Sequence, residues 1–299
     1  MRRNLLIQYQ PLRLRLKKPY RFSSYLAVAE TSANQSKRPP LSGIGAQQAS
    51  CQNGHMNDSI KPPKSIMRKV GRAIADFKMI RDGDRILLGV SGGKDSLTLL
   101  QVLSHLQRYA PVEFELGVIT VDPEIEGFDP APLKAYYEAL GVAWVYAEQP
   151  IMEEAREKLS GDSFCAYCAR MKRGIMYSTC RKQGYNVLAL AQHLDDLAES
   201  LMMSLFHGGQ MRTMKAHYVN DAGDIRIIRP LVYCRETQTG DFAVKAGLPI
   251  IPDSCPACFT KPTQRAYMKQ LLAREERSNS HLFANMLHAM KPMMDEAPP

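Results

Sequence analysis

The sequence predicts an α/β protein, a parallel sheet with helices on both faces, followed by a helical C-terminal part. Three observations lead there. Short aliphatic runs of strand length alternate with segments whose apolar residues recur at helical spacing, the pattern of strands buried on both faces. The first strand stops at a glycine turn that opens directly into a helix. From Ala266 onward Met268, Leu271, Leu272, Leu282, Phe283, Met286 and Met290 keep helical spacing and read as helices packed on the core.

The elements follow in order. Ile66, Val70, Ala73, Ile74 and Phe77 predict a helix beginning near Ser65 and ending before the turn Asp82-Gly83-Asp84. Residues 85–90 are a short aliphatic strand that ends at Ser91-Gly92-Gly93, after which Leu97, Leu99, Leu100, Val102 and Leu103 resume a helix through Leu106. A second strand spans 114–121 and ends at Asp122, a helix covers 133–140, and a third strand covers 143–146. Another helix is expected over 171–183, a fourth strand over 187–191, a helix opening at Asp195-Asp196, and a fifth strand over 225–228.

At 299 residues, 45% hydrophobic and 23% charged, the chain suits one large domain over 61–299. No stretch approaches the ~18 apolar residues of a membrane-spanning helix, so no membrane partner is expected. The net charge of +9 is concentrated at one end: nine basic residues precede residue 56, against Glu30 alone. The rest is nearly neutral, so any basic surface for nucleic acid must be local. Residues 1–60, rich in Arg, Ser, Gln and Pro, read as a disordered or removable basic leader, an organelle transit peptide, or an extension upstream of a start at Met56. Four of the seven cysteines form two C-x-x-C pairs, while Cys51, Cys180 and Cys234 have no partner spacing. That usage fits a reducing compartment, the cytoplasm, or an organelle if the leader is a transit peptide.

Ser91-Gly92-Gly93-Lys94-Asp95-Ser96 sits where a parallel sheet places its ligand. Glycines admit an anion close to the backbone, the helix amides favour negative charge, and Lys94 adds a cation. The spacing is not that of a Walker loop. It resembles the PP-loop of enzymes that split ATP into AMP and pyrophosphate while adenylating a substrate, which implies an adenine nucleotide alpha hydrolase-like fold. The loop would then grip the pyrophosphate portion, with Asp122 beside the adenosine. After the fourth strand, Gln192-His193-Leu194-Asp195-Asp196 resembles the family's G-H-x-x-D-D stretch, with Ala191 and Gln192 where Gly and His are common. His193, Asp195 and Asp196 are candidates for holding magnesium or for catalysis, or else cap the helix.

Cys165-Ala166-Tyr167-Cys168 precedes the basic stretch Arg170, Lys172, Arg173, and Cys255-Pro256-Ala257-Cys258 returns about ninety residues later. Two such pairs suit zinc or an iron–sulfur cluster. With Ile74-Ala75-Asp76-Phe77, Phe206-His207-Gly208-Gly209, Arg229-Pro230-Leu231, Tyr233-Cys234-Arg235-Glu236 and Pro249-Ile250-Ile251-Pro252, these segments resemble the iron–sulfur-dependent tRNA 2-thiocytidine synthetase family from about Met67 to Arg277.

The resemblance implies a 4Fe-4S cluster on three cysteines with one iron open to carry sulfide, and thiolation of cytidine 32 in the anticodon loop of a tRNA. Cys165 and Cys168 carry over directly. Cys258 is preferred to Cys255 as third ligand because it lies just ahead of Pro262-Thr263-Gln264-Arg265. Four thiolates would instead close a structural zinc site. ATP, magnesium, tRNA and a cysteine desulfurase or other sulfide donor are the implied cofactors and partners, and a homodimer stays open. Arg170, Lys172, Arg173 and Arg181 beside the cysteines, with Arg212 and Lys215, are candidate tRNA contacts. The rival readings are a thiouridylase or lysidine-type ligase with the same loop, and a zinc-binding RNA adaptor without catalysis.

Overall fold

The computed structural model describes residues 60–125, 127–158, 164–252 and 263–295. The leader through residue 59, Cys51, Cys255 and Cys258 lie outside them, and Cys165 is described in its backbone only.

Helix α1 (Lys64–Asp76) buries Ile66, Val70 and Ala73 and leads into β1 (Asp84–Gly89). Then follow α2 (Lys94–Tyr109), β2 (Phe114–Asp122), α3 (Ala131–Leu140), β3 (Ala143–Glu148), α4 (Ile151–Lys158) and α5 (Phe164–Gln183). The second half runs β4 (Val187–Ala189), α6 (Leu194–Gly208), β5 (His217–Val219), β6 (Arg226–Ile228) and α7 (Glu236–Lys245), and closes with α8 (Gln264–Ser278) and α9 (Leu282–Met294). No described helix is long and apolar enough to cross a membrane.

The sheet order is β3-β2-β1-β4-β6-β5, parallel throughout except for β5, which pairs antiparallel to β6. Successive side chains of a strand face opposite sides, and the core divides accordingly. Ile86 and Leu88 of β1, with Val187 and Ala189 of β4, join the larger core with α1, α2, α6, α7 and α9. Leu87, Leu188 and Ile227 join the smaller one under α4 and α5. Each fully buried Leu or Ile contributes about 1.5–3 kcal/mol, which is why these runs lack the polar alternation of a half-exposed strand. From β1 the chain winds outward through β2 and β3, then returns to place β4 on the other flank of β1. The strand order reverses there, and a crevice opens at the carboxyl ends of β1 and β4.

The predicted elements are present, with four differences. Helix α5 starts at Phe164 rather than near 171, so the first cysteine pair lies inside its opening turns. The fourth strand ends at Ala189 rather than 191, and the fifth begins at Arg226. Strand β5 is a three-residue antiparallel edge, too short to show a period. Helices α4 and α7 were not foreseen: the first is an eight-residue helix, and the second carries Thr and Gly in its interior.

At the opposite end of the strands, buried Asp84 ties β1 to the starts of β4 and β6. It accepts from the Arg81 amide at 2.7 Å, from Asn186 Nδ2 at 3.1 Å and from the Arg226 guanidinium. Removing the carboxylate strands a mostly buried cation, a loss of about 3–5 kcal/mol. Asp84→Ala is therefore expected to lower the unfolding free energy measured in urea by that amount, whereas an exposed control such as Asp221→Ala is expected to leave it unchanged.

Candidate active site

The PP-loop follows β1. Gly92 adopts φ +86°, a left-handed conformation, and a Cβ there would meet the Ile251 side chain at 3.0 Å. Only glycine meets both conditions. The Ile251 amide donates to the Gly92 carbonyl at 2.9 Å, so the loop is gripped by the segment that leads toward the second cysteine pair. Ser96 Oγ donates to the Gly93 carbonyl at 2.8 Å, and the Gly93 amide donates to Ser91 Oγ at 3.3 Å, holding the turn in shape. No side chain caps the start of α2. Its first amides are left facing outward, as an anion site requires.

In front of the loop lies a cleft of about 300 Å³. It is lined by Ser91 and Gly93 of the loop, by an apolar set of Val121, Pro123, Ile125 and Phe128, and by Cys168 and Lys172 of α5. Asp122 ends β2 beside this apolar set, but its carboxylate accepts from the Tyr146 hydroxyl and from the Glu124 amide at 2.7 Å. The loop and Cys168 thus share one cavity, a juxtaposition that the sequence could not display because 75 positions separate Gly93 from Cys168; Met152 and Phe128 were missed for the same reason.

Behind the loop is a dense charge cluster. Lys94 does not line the cleft; its ammonium lies 2.9 Å from Asp95 Oδ2 and 3.0 Å from Glu236 Oε1. Burial opposes this charge, but the two carboxylates outweigh it and raise the Lys94 pKa. Asp95 also receives the Thr239 hydroxyl and faces His193 Nε2 at 3.6 Å. Burial pushes the Asp95 carboxyl up, yet His193, Thr239 and Lys94 together hold it down at about 2. Buried His193 is raised in turn: desolvation lowers it, and Asp95, Asp196 and Asp195 outweigh that.

Asp195 and Asp196 have defined partners. Asp195 accepts from Arg235 Nε at 3.0 Å and from the Glu236 amide at 2.8 Å, anchoring the start of α7. Asp196 caps α6 through the His193 amide at 3.0 Å and receives Arg265 at 3.2 Å. Gln192, standing at the family's histidine position, accepts from Arg229 Nε at 2.9 Å, and Arg229 also donates to the Lys215 carbonyl at 2.5 Å. Among the described residues no three His, Cys, Asp or Glu side chains converge to hold a metal ion.

Cys168 is half-buried, with Sγ 3.7 Å from Met152 Sδ, and Cys165 lies one helical turn earlier on α5. Pro252, which lines the same cleft, precedes Cys255 by three positions and Cys258 by six. Of the basic candidates, Arg170 and Arg173 are exposed beside the cysteines, Lys172 faces the cleft, Arg212 is exposed and Lys215 is half-buried. Arg181 stands at the other end of α5, in a two-pronged pair with Asp224 at 2.6 and 3.1 Å.

Glu199, buried on α6, is pushed up to about 7 by burial and by Asp196, against Arg265 and Lys269. A carboxyl raised above its unfolded value destabilises the fold as pH rises between the two. Glu199→Gln is accordingly expected to stabilise the protein by roughly 2–3 kcal/mol above pH 7 and by much less near pH 5. Urea unfolding at both pH values measures this, and an equal effect at each would contradict it.

A PP-loop domain matches residues 63–275. The tRNA-cytidine(32) 2-sulfurtransferase of Geobacter sulfurreducens is 42% identical over 228 residues, covering 76% of this chain and 89% of that protein. The protein of the same name from Vibrio cholerae is 40% identical over 233 residues, covering 77% and 74%. In fold, the chain resembles the U34-tRNA thiolase NcsA from Methanococcus maripaludis, solved with its 4Fe-4S cluster: TM-score 0.66, 19% identity, 79% of each chain. On the strength of that domain and of identities spanning three quarters of the sequence, the chain belongs to the PP-loop family of tRNA-cytidine(32) 2-sulfurtransferases.

Proposed function

We propose that this protein is an ATP-dependent tRNA sulfurtransferase that exchanges the C2 oxygen of cytidine 32 for sulfur, giving 2-thiocytidine. The observation that carries the reading is the single cleft shared by the PP-loop and Cys168. Adenylation and sulfur delivery must meet at one carbon, and a cavity bounded by both provides that meeting point.

The residues fit ATP. The apolar set of Val121, Pro123, Ile125 and Phe128 suits an adenine, and the uncapped amides of α2 suit phosphate. The cytidine O2 attacks the α-phosphorus and pyrophosphate leaves. The base then carries AMP on that oxygen; sulfide adds at C2, the C2–O bond breaks and AMP departs with the oxygen. Lys172 in the cleft and the α2 amides offset the charge that develops on the phosphates, the largest contribution the protein makes to such a step. Asp195 and Asp196 hold α7 and α8 in place through their bonds to Arg235 and Arg265, and the reading assigns no step to a magnesium ion on them.

The thiols also fit a cluster. Cys165 and Cys168 stand one turn apart on α5, and Cys258 follows the cleft residue Pro252 at a short chain distance. A 4Fe-4S cluster on these three, when bound, supplies sulfide from an iron that no thiolate holds. Exposed Arg170, Arg173 and Arg212 offer phosphate contacts for the tRNA, so binding weakens with salt. A cysteine desulfurase or another sulfide source replenishes the sulfur.

Anaerobic purification followed by iron, sulfide and zinc analysis, and nucleoside analysis of tRNA incubated with ATP and sulfide, test the reading. About four iron and four sulfide per chain, lost in Cys168→Ala and Cys258→Ala but kept in Cys255→Ala, with 2-thiocytidine formed by the wild type, are the expected results. Stoichiometric zinc lost on changing any one of the four cysteines, with no thiolated nucleoside, would overturn it.

A further inference from the structure

Glu236 bridges two lysines. Its Oε1 lies 3.0 Å from Lys94 Nζ at the start of α2, and its Oε2 lies 2.6 Å from Lys269 Nζ on α8. Lys94 is turned toward this carboxylate and Asp95 rather than into the cleft, and its stem runs along Gly240 of α7 at 3.7 Å from a Cβ position there. The bridge sits on a fixed base. The Glu236 amide is held by Asp195, the Thr239 hydroxyl by Asp95, and α8 is tied to the same edge through Arg265 to Asp196 and Glu276 to Arg235. To meet a phosphate at the loop, Lys94 has to leave Glu236, and a half-buried carboxylate left without a cation costs free energy.

We infer that Lys269 is a positioning residue for ATP: already paired with Glu236, it keeps that carboxylate neutralised as Lys94 turns to the phosphates. This rests on the ATP-dependent reading above. The exchange is local: Glu236 passes from two ammoniums to one and stays paired with Lys269, while the triphosphate receives Lys94. Without Lys269, Glu236 has Lys94 as its remaining lysine partner and retains it, so nucleotide binding must break a stronger pair.

The signature is a suppressible defect. Equilibrium ATP binding to the full-length protein is expected to weaken about three- to fivefold in Lys269→Met, the range of a partly exposed ion pair, and to be unchanged in Lys269→Arg. In the double variant Glu236→Gln, Lys269→Met, binding is expected to match Glu236→Gln alone, because the carboxylate that over-holds Lys94 is gone. Equal weakening by Lys269→Met in both backgrounds, or none in either, would overturn the exchange. Failure of the wild type to bind ATP would instead overturn the underlying reading, so the two failures are distinguishable.

Discussion

The candidate site is built around one backbone contact, the Ile251 amide on the Gly92 carbonyl, with the Ile251 side chain pressed where any side chain at position 92 would stand. The contact shapes the phosphate loop from outside. It also joins the loop, through Pro252, to the chain leading into the second cysteine pair. A residue larger than glycine would be strained by φ +86° and would displace Ile251 at the same time. The PP-loop and the cleft residue Pro252 are therefore joined through the same few atoms.

Around that contact the fold arranges charge in layers. The cleft side holds amides and Lys172; the rear holds Lys94, Asp95, His193, Asp195 and Glu236, each answered by a partner of opposite sign or by a hydrogen bond. Partly buried ion pairs of this kind add little net stability but specify geometry, because a misplaced member leaves its partner exposed to a desolvation cost. Helices α7 and α8 supply most of the answering groups. Their role is to hold the loop's charged residues in register, and the Asp-Asp pair that opens α6 serves the same end.

Much of this was legible in the sequence. The aliphatic runs around Leu87, Val118 and Leu188 announced strands buried on both faces, and Ser91 to Ser96 announced a phosphate site at a strand end, because each signal is local. The cysteine pairs were legible by spacing alone as candidate ligands for a metal or cluster. What remained hidden was non-local. Glu236 and Thr239 lie on a helix whose Thr and Gly interior gives no amphipathic period, and Phe128 and Met152 reach the cleft only through the crossing of β2, α4 and α5. Arg181 looked like part of the basic patch because it shares a helix with Cys168, whereas the 1.5 Å rise per residue carries it to the far end, where Asp224 takes it. Asp84 carried no motif, and only the pairing of β1 with β4, and of β4 with β6, brings Asn186 and Arg226 to it.

In the proposed function one cleft hosts two separable steps. Its most direct test is to follow tRNA-dependent pyrophosphate release and 2-thiocytidine formation side by side in Cys168→Ser under anaerobic conditions. Pyrophosphate release that continues while thiolation is abolished is the predicted result, since the loop is intact and only sulfur delivery is broken. Thiolation at the wild-type rate in that variant would contradict the account.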